Sequence, residues 1–448
     1  MSGPYPINRV RRATINAASG VAGLDANGDL LVGRRSVPTP VRFARHGEAN
    51  PIYVRHFNAL GGELSATNSA TLALDDDCMT SAGTAYKSIK LTHSPSNSYS
   101  GLHCTFAEPK NWMAAADPTV CNYHVEVNVK ALLGTGEASW RDNQTRAYFK
   151  IFFNDTNNFL QMPLIEAYVP GSGFPSSYRD WEGAWQKVTS AMGPSGSNII
   201  ITGTADWEHV IGFEVTMRDY INAGRLQSIL VDSVVVYPKP AKAKICITTD
   251  DGHSEDGQAL AYLRYKGLRG TAFVNPGYVG QTIGQNVYLT WQQLRDHAAQ
   301  GHLIANHSWD HPANWTVLTE TQAIDEQIVP AIAAMVDEGL GRGADVFAVP
   351  TWMWTPAAQK MLVGRYLSTC RIGSDANGGG LNFPNRYEML RESGATTADV
   401  DHAIAFGGTL VPVFHGITAG MITLADYVAT KYAAGDVDVV TMDELLTG

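Results

Sequence analysis

The sequence predicts a multidomain chain with three parts: an N-terminal arm, a β-sandwich (jelly-roll-like) middle domain, and a C-terminal α/β domain built on a parallel sheet. Three observations predict it. From Lys244 onward, apolar runs of strand length alternate with runs of helical length, the pattern of right-handed βα units. Between residues 46 and 240, short β-prone runs recur between Gly, Ser, Asn and Pro clusters, as in sandwiches and jelly rolls. Between these regions stands Pro238-Lys239-Pro240, a stiff, extended spacer that suits a domain boundary.

The bulk numbers agree with this division. A chain of 448 residues has room for about three domains at roughly 150 residues each. Hydrophobic residues make up 44% and charged residues 17%, which argues against disorder. The net charge of −10, from 33 basic and 43 acidic residues, lacks the cationic excess that phosphate binding needs, so nucleic acid is excluded as an expected partner. No segment offers the roughly 18 apolar residues of a membrane span. The first ten residues, MSGPYPINRV, lack the apolar run of a secretory signal. Five cysteines without a CxxC suggest neither a disulfide framework nor a cysteine zinc site, and Cys246 is expected in the core.

Residues 1–45 carry Arg9, Arg11, Arg12, Arg34 and Arg35 and few aromatics. Within AGLDANGDLLV (22–32), Asn27-Gly28 lies between apolar runs, a hairpin signal. An extended or hairpin-rich arm for assembly or attachment is expected. Residues 46–240 contain strand-like runs at 119–129, 147–153, 198–202, 209–216 and 229–237, separated by turn clusters such as 170–177 and 193–198. The closing run SILVDSVVVYP resembles the last strand of carbohydrate-binding sandwich modules, so this domain is a candidate glycan binder. Residues 241–448 follow. Their strands are expected at 245–248, 270–274, 302–305, 346–349, 367–372, 409–414 and 437–441. Helices are expected at 257–266, 290–300, 319–337, 356–363 and 423–433.

Chemistry in a parallel barrel collects at the carboxyl ends of the strands, and four expected strands end in polar candidates. They run into Asp250-Asp251-Gly252, into Asn306-His307-Ser308-Trp309-Asp310-His311, into Pro350-Thr351-Trp352, and into His415-Gly416. Two histidines at i and i+4 lie on one face of a helical turn and reach one ion. With one carboxylate they leave an open position, the form of a catalytic zinc site. Adjacent aspartates at a strand end divide the labour, one ligating the metal and one taking the proton of the attacking water. Singly, Asp-Asp-Gly is commonly a turn, His-x-x-x-His a coincidence, and His415 a satisfied buried histidine. Their ordered placement at the strand ends of one domain favours the functional reading.

These segments also resemble a known family. TDDG (249–252), GHLIANHSWDHP (301–312), LTETQAIDEQI (318–328) and VFHG (413–416) look like the ordered motifs of the polysaccharide deacetylases, which act on chitin, peptidoglycan and xylan. The resemblance spans about residues 244–448. It implies a distorted (β/α) barrel with fewer than eight complete units, and a metal-dependent hydrolase, amide or ester, acting on an acetylated polysaccharide. It implies Asp250 as general base, His415 as general acid, and Asp251, His307 and His311 as ligands of a divalent metal ion, Zn2+ first. It further implies Val413 in the acetyl-methyl pocket, the Thr351 backbone N–H at the oxyanion, and Trp352 and Trp354 as sugar-stacking walls, for which plain packing is an equal alternative.

Three departures from the family pattern stand out. The arginine expected two residues before the motif proline is Ala348, which puts rate and pH dependence in question. The aromatic expected before Asp-Asp-Gly is Thr249. The aspartate expected to partner the catalytic histidine has no plain match, and Asp375 is the best candidate. The segment 373–397, with Gly378-Gly379-Gly380, is expected as a loop over the cleft. A competing reading is a catalytically weakened glycan-binding adhesin or receptor-binding protein. The arm resembles N-terminal segments of bacteriophage tail fibres and spikes. That resemblance implies a homotrimer, or attachment to a larger particle through residues 1–45, and a location in a virion tail; the alternative is a bacterial cell-surface or secreted enzyme.

Overall fold

Seven parallel strands close into a barrel in the C-terminal part of the chain. The structure, a computed structural model, describes residues 22–24, 30–32, 35–37, 53–57, 59–60, 62–77, 87–93, 99–112, 123–132, 145–165, 185–192, 200–219, 228–319, 321–352, 367–375 and 389–447. The barrel strands are β1 (Thr248–Thr249), β2 (Thr271–Val274), β3 (Leu303–Asn306), β4 (Val346–Ala348), β5 (Thr369–Asp375), β6 (Met389–Ser393) and β7 (Pro412–Phe414). They pair in chain order, and β7 returns to β1 through Thr248↔Val413 and Thr249↔Phe414. Every residue of β2 and β3 is buried, as expected where one face meets the barrel interior and the other meets helices. Phe273, Leu303, Ala305, Val346, Ala348 and Val411 belong to one buried cluster, while Ile304, Phe347 and the apolar residues of the helices belong to a second.

Helix α1 (Ser254–Tyr265) follows β1, α2 (Trp291–Ala299) follows β2, α3 (Val329–Asp337) follows β3, α4 (Thr397–Phe406) follows β6 and α5 (Ala419–Ala434) follows β7. Local chemistry sets their ends. Thr290 and Gln293 form a capping box at α2, and the Thr418 hydroxyl accepts the Met421 N–H at α5. Helix α5 stops at Gly435, whose φ of 85° is left-handed, the usual glycine stop.

Several expectations need correction. The strand expected at 245–248 is divided. Ala243–Ile245 pairs in parallel with Thr409–Leu410 and Val437–Val439 in a separate three-stranded sheet, and only Thr248–Thr249 enters the barrel. The run 409–414 divides at Val411 in the same way. The helix expected at 319–337 is a π-helix over Gln322–Ile328 that continues into α3. Val329 N–H bonds five residues back to Ile324 O, and Pro330, which has no N–H for the carbonyl four residues back, follows directly. The segment 373–397 is not wholly a loop. Its residues Met389–Ser393 form β6, which pairs with both β5 and β7 and so completes the barrel. The triple glycine and the helix expected at 356–363 lie outside the described residues.

The middle part holds two antiparallel sheets of six strands. One runs in the order Ile200–Thr202, Asp155–Ile165, Thr145–Phe153, Val210–Asp219, Tyr99–Lys110, Leu64–Thr67. The other runs Trp185–Met192, Tyr123–Leu132, Ser228–Pro238, Ser88–Thr92, Thr71–Asp75, with Tyr53–His56 also on Ser228–Pro238. Alternate residues such as Val125, Val127 and Val129 from one sheet and Phe149, Phe213 and Val215 from the other share a single buried core, which explains the period-two apolar pattern. In the arm, Ala22–Leu24, Leu30–Val32 and Arg35–Val37 form a three-stranded antiparallel sheet in which Leu24 pairs with Leu30; the expected Asn27-Gly28 turn lies outside the described residues. The middle part meets α4 through buried His124, whose Nε2–H donates to Phe406 O at 2.6 Å. Among the described residues no helix is long and apolar enough to cross a membrane.

Candidate metal centre and acid–base site

Three loops at the carboxyl ends of β1, β3 and β4 build the site. The β1 loop carries Asp250, Asp251, Gly252 and His253, and Asp251 takes a left-handed φ of 81°. The β3 loop carries His307 to His311, with Ser308 at 73° and His311 at 52°. The β4 loop carries Thr351 at 53°. Of the seven non-glycine residues with positive φ among those described, these are four. Such backbone is costly unless its surroundings enforce it, and it gathers at functional sites. It also corrects an expectation: His307 and His311 do not lie on a helical turn. Two left-handed residues bend the intervening loop until both rings meet, with centroids 5.1 Å apart.

The loop is held from several sides. Asn306 Oδ1 accepts the Ser308 N–H, and Ser308 Oγ accepts the His311 N–H. The buried Asn275 amide, just past β2, donates to His307 O at 2.6 Å and Ser308 O at 3.3 Å. Gln327, within the π-helix, donates to Asp310 Oδ1 at 2.8 Å. The shifted helical register therefore has a use in bracing this loop.

The donor set fits a divalent ion. Asp251 Oδ1 lies 3.5 Å from His307 Nε2 and 3.5 Å from His311 Nε2, and the three ligand atoms lie within 4.8 Å of one another. A four-coordinate ion with bonds of about 2.0–2.1 Å separates its ligands by about 3.3–3.5 Å. His307 Nδ1 donates to the Ala348 carbonyl at 2.9 Å, which leaves the Nε2 lone pair for a metal. Burial outweighs the pull of Asp250 and Asp251 and lowers the His307 pKa below the ordinary histidine value, which favours the neutral ring that a metal ligand needs.

Asp250 is buried and faces an arginine that the sequence reading missed. Arg371 on β5 donates through Nη2 to both Asp250 oxygens, at 2.6 and 2.5 Å, and its guanidinium carbon lies 4.7 Å from the centre of the Phe273 ring. Burial pushes the Asp250 carboxyl up. The Arg371 guanidinium, by its charge and its hydrogen bonds, outweighs this and holds it at about 2. In the β4–β5 ladder Arg371 is the register partner of Ala348. The cation absent from position 348 therefore comes from the adjacent strand.

The other candidates fall as follows. His415 is exposed at the end of β7, close enough for its charge to act on Asp250. Val413 is buried on β7. Thr351 is half-buried in the turn Pro350–Trp352. Asp375 ends β5, but its side chain, that of Trp352, and all of Trp354 lie outside the described residues. Of the residues missed, Asn275 follows an expected strand end and so had a positional signal. Gln327 lay within the 318–328 motif but had no role assigned to it, and Arg371, inside an expected strand, had no signal.

Part of the chain is similar to known proteins. Residues 238–361 match the polysaccharide deacetylase family. YxkH of Bacillus subtilis (strain 168), a protein assigned as a polysaccharide deacetylase, is 34% identical over 74 residues, 16% of this chain and 25% of that relative. The chain thus spans about a quarter of the length of this curated relative. Among solved structures, a family 4 carbohydrate esterase from Streptomyces lividans in complex with acetate is similar at TM-score 0.33 and 22% identity, over 45% of this chain and 92% of that one. The peptidoglycan deacetylase PdaC from Bacillus subtilis follows at 0.32 and 17%, over 46% and 91%. A family 4 acetyl xylan esterase from Clostridium thermocellum, with a cobalt ion, follows at 0.31 and 20%, over 46% and 90%.

Proposed function

From the premise that residues 238–361 are those of a polysaccharide deacetylase domain, we propose that this protein is a metal-dependent hydrolase that removes acetyl groups from a polysaccharide. The observation that carries the proposal is the convergence of Asp251, His307 and His311 beside an ionised, arginine-held Asp250. Asp251, His307 and His311 would hold the ion, Zn2+ being the first choice for a two-histidine, one-carboxylate set. When bound, such an ion supplies Lewis acidity at the acetyl carbonyl and eases deprotonation of the attacking water. Asp250 takes that water's proton on a carboxylate oxygen. His415 gives a proton to the departing nitrogen or oxygen as the C–N or C–O bond breaks, leaving acetate and a free amine or hydroxyl. Val413 is proposed against the acetyl methyl and the Thr351 N–H against the developing oxyanion.

The adhesin reading drew on the arginine absent at position 348. Arg371 now occupies that role geometrically, so catalysis is the better-supported reading. The test is acetate release from a panel of acetylated capsular and cell-wall glycans, with and without a chelator. Release that a chelator stops and added Zn2+ restores is expected. Tight glycan binding with no release from any of the panel would instead establish the adhesin.

The proposal extends to the rest of the chain. Residues 46–240 are assigned to a glycan-holding β-sandwich and residues 1–45 to an arm that joins copies or docks on a virion tail. The arm's arginines suit an acidic partner. A trimer should scatter light at about three times the chain mass of 48.4 kDa, and removal of residues 1–45 should lower that mass while acetate release continues. A full-length chain that stays monomeric at high concentration sinks the assembly role and leaves the enzyme.

A further inference from the structure

We propose that Asp256 is a positioning residue for His415, one buried carboxylate that locks the β1 loop and the β7 loop into a single geometry. The proposal rests on the deacetylase reading only for what His415 does. Asp256 is fully buried in the first turn of α1. Its Oδ2 accepts the His253 N–H at 2.8 Å, an ordinary helix cap. Capping does not explain the second contact. Asp256 Oδ1 accepts the Gly416 N–H at 2.8 Å, from a residue 160 positions away that directly follows His415.

The fit between these loops is close. Gly416 is left-handed, with φ of 83°, and a Cβ there would meet Glu255 Cβ at 2.6 Å, so the β7 loop rests directly on the first turn of α1. On the other side of His415, Phe414 O accepts the Asp250 N–H at 3.2 Å. Both neighbours of His415 are therefore tied to the segment that carries Asp250 and Asp251. His415 is itself exposed, so its anchored backbone carries much of its orientation. Displacements of about 1 Å in such geometry cost up to about 10²-fold in rate, which gives this clamp kinetic weight.

Asp256→Asn tests the clamp, because an amide keeps one acceptor oxygen and turns an NH2 toward the other N–H. Amide exchange at Gly416 should quicken about 10-fold or more while metal content is unchanged. kcat should fall about 10–100-fold with KM within about twofold. In a His415→Ala background the same change should cost less than about twofold, since the group being positioned is already gone. Gly416→Ala, which pushes the loop off α1 while leaving the His253 cap intact, should reproduce the kcat loss. Unchanged exchange at Gly416 overturns the clamp. Losses that multiply in full with His415→Ala show general weakening and overturn the positioning role. A wild-type protein that releases no acetate defeats the deacetylase reading separately, and the exchange measurement still decides whether Asp256 holds the loop.

Discussion

Alanine at His307 or His311 is expected to remove the bound ion and the activity together, with the barrel kept. Each change leaves two protein donors, one of them Asp251, too few to retain an ion against dialysis. The two variants should differ in stability. His311 has a side chain 31% exposed, so its loss leaves little cavity. His307 is buried and donates to Ala348 O; its loss strands that carbonyl, at about 1–3 kcal/mol. His311→Ala is therefore the cleaner test. Elemental analysis should show about one ion per wild-type chain and nearly none in either variant, with unchanged circular dichroism. Wild-type metal content in both variants would sink the ligand assignment.

Arg371→Ala is expected to cost both stability and rate. Asp250 and Arg371 are a buried pair, with side chains 5% and 2% exposed. Removing one partner leaves a buried, uncompensated carboxylate, at about 3–5 kcal/mol. The sign with pH follows from the lowered Asp250 carboxyl. The pair's contribution is present above the ordinary value of 3.8 and is lost as pH falls through about 2. Near neutral pH the full loss should appear as a lower Tm. Asp250→Asn should keep the metal and lower kcat about 10²–10⁴-fold by removing the base. The distinguishing variant is Arg371→Ala with Ala348→Arg. Because residues 348 and 371 are register partners on adjacent strands, an arginine at 348 can approach Asp250 from one strand over. Recovery of most of the lost rate and Tm is expected. A double variant no better than Arg371→Ala would show that the cation's strand, and not only its charge, is required.

The sequence by itself picked out most of the residues that the structure brings together at the candidate site. Asp250, Asp251, His307, His311 and His415 are legible because parallel strands deliver their chemistry at one end, so short polar motifs after apolar runs mark it. It also determined where the strand alternation begins and that the runs on either side of Asn27-Gly28 pair antiparallel, since both depend on local pattern. Tertiary structure decided the rest. Whether His307 and His311 converge depended on left-handed Ser308 and His311, in a loop held by Asn306 at its start and by Asn275 and Gln327 from other elements. The sixth strand, Met389–Ser393, was invisible until the barrel needed a partner between β5 and β7. The cation that holds Asp250 was unreadable for the same reason. Register across a sheet places residues 23 positions apart side by side, as Ala348 and Arg371 are. Such pairing is set by strand order and barrel closure, which no local run of residues encodes.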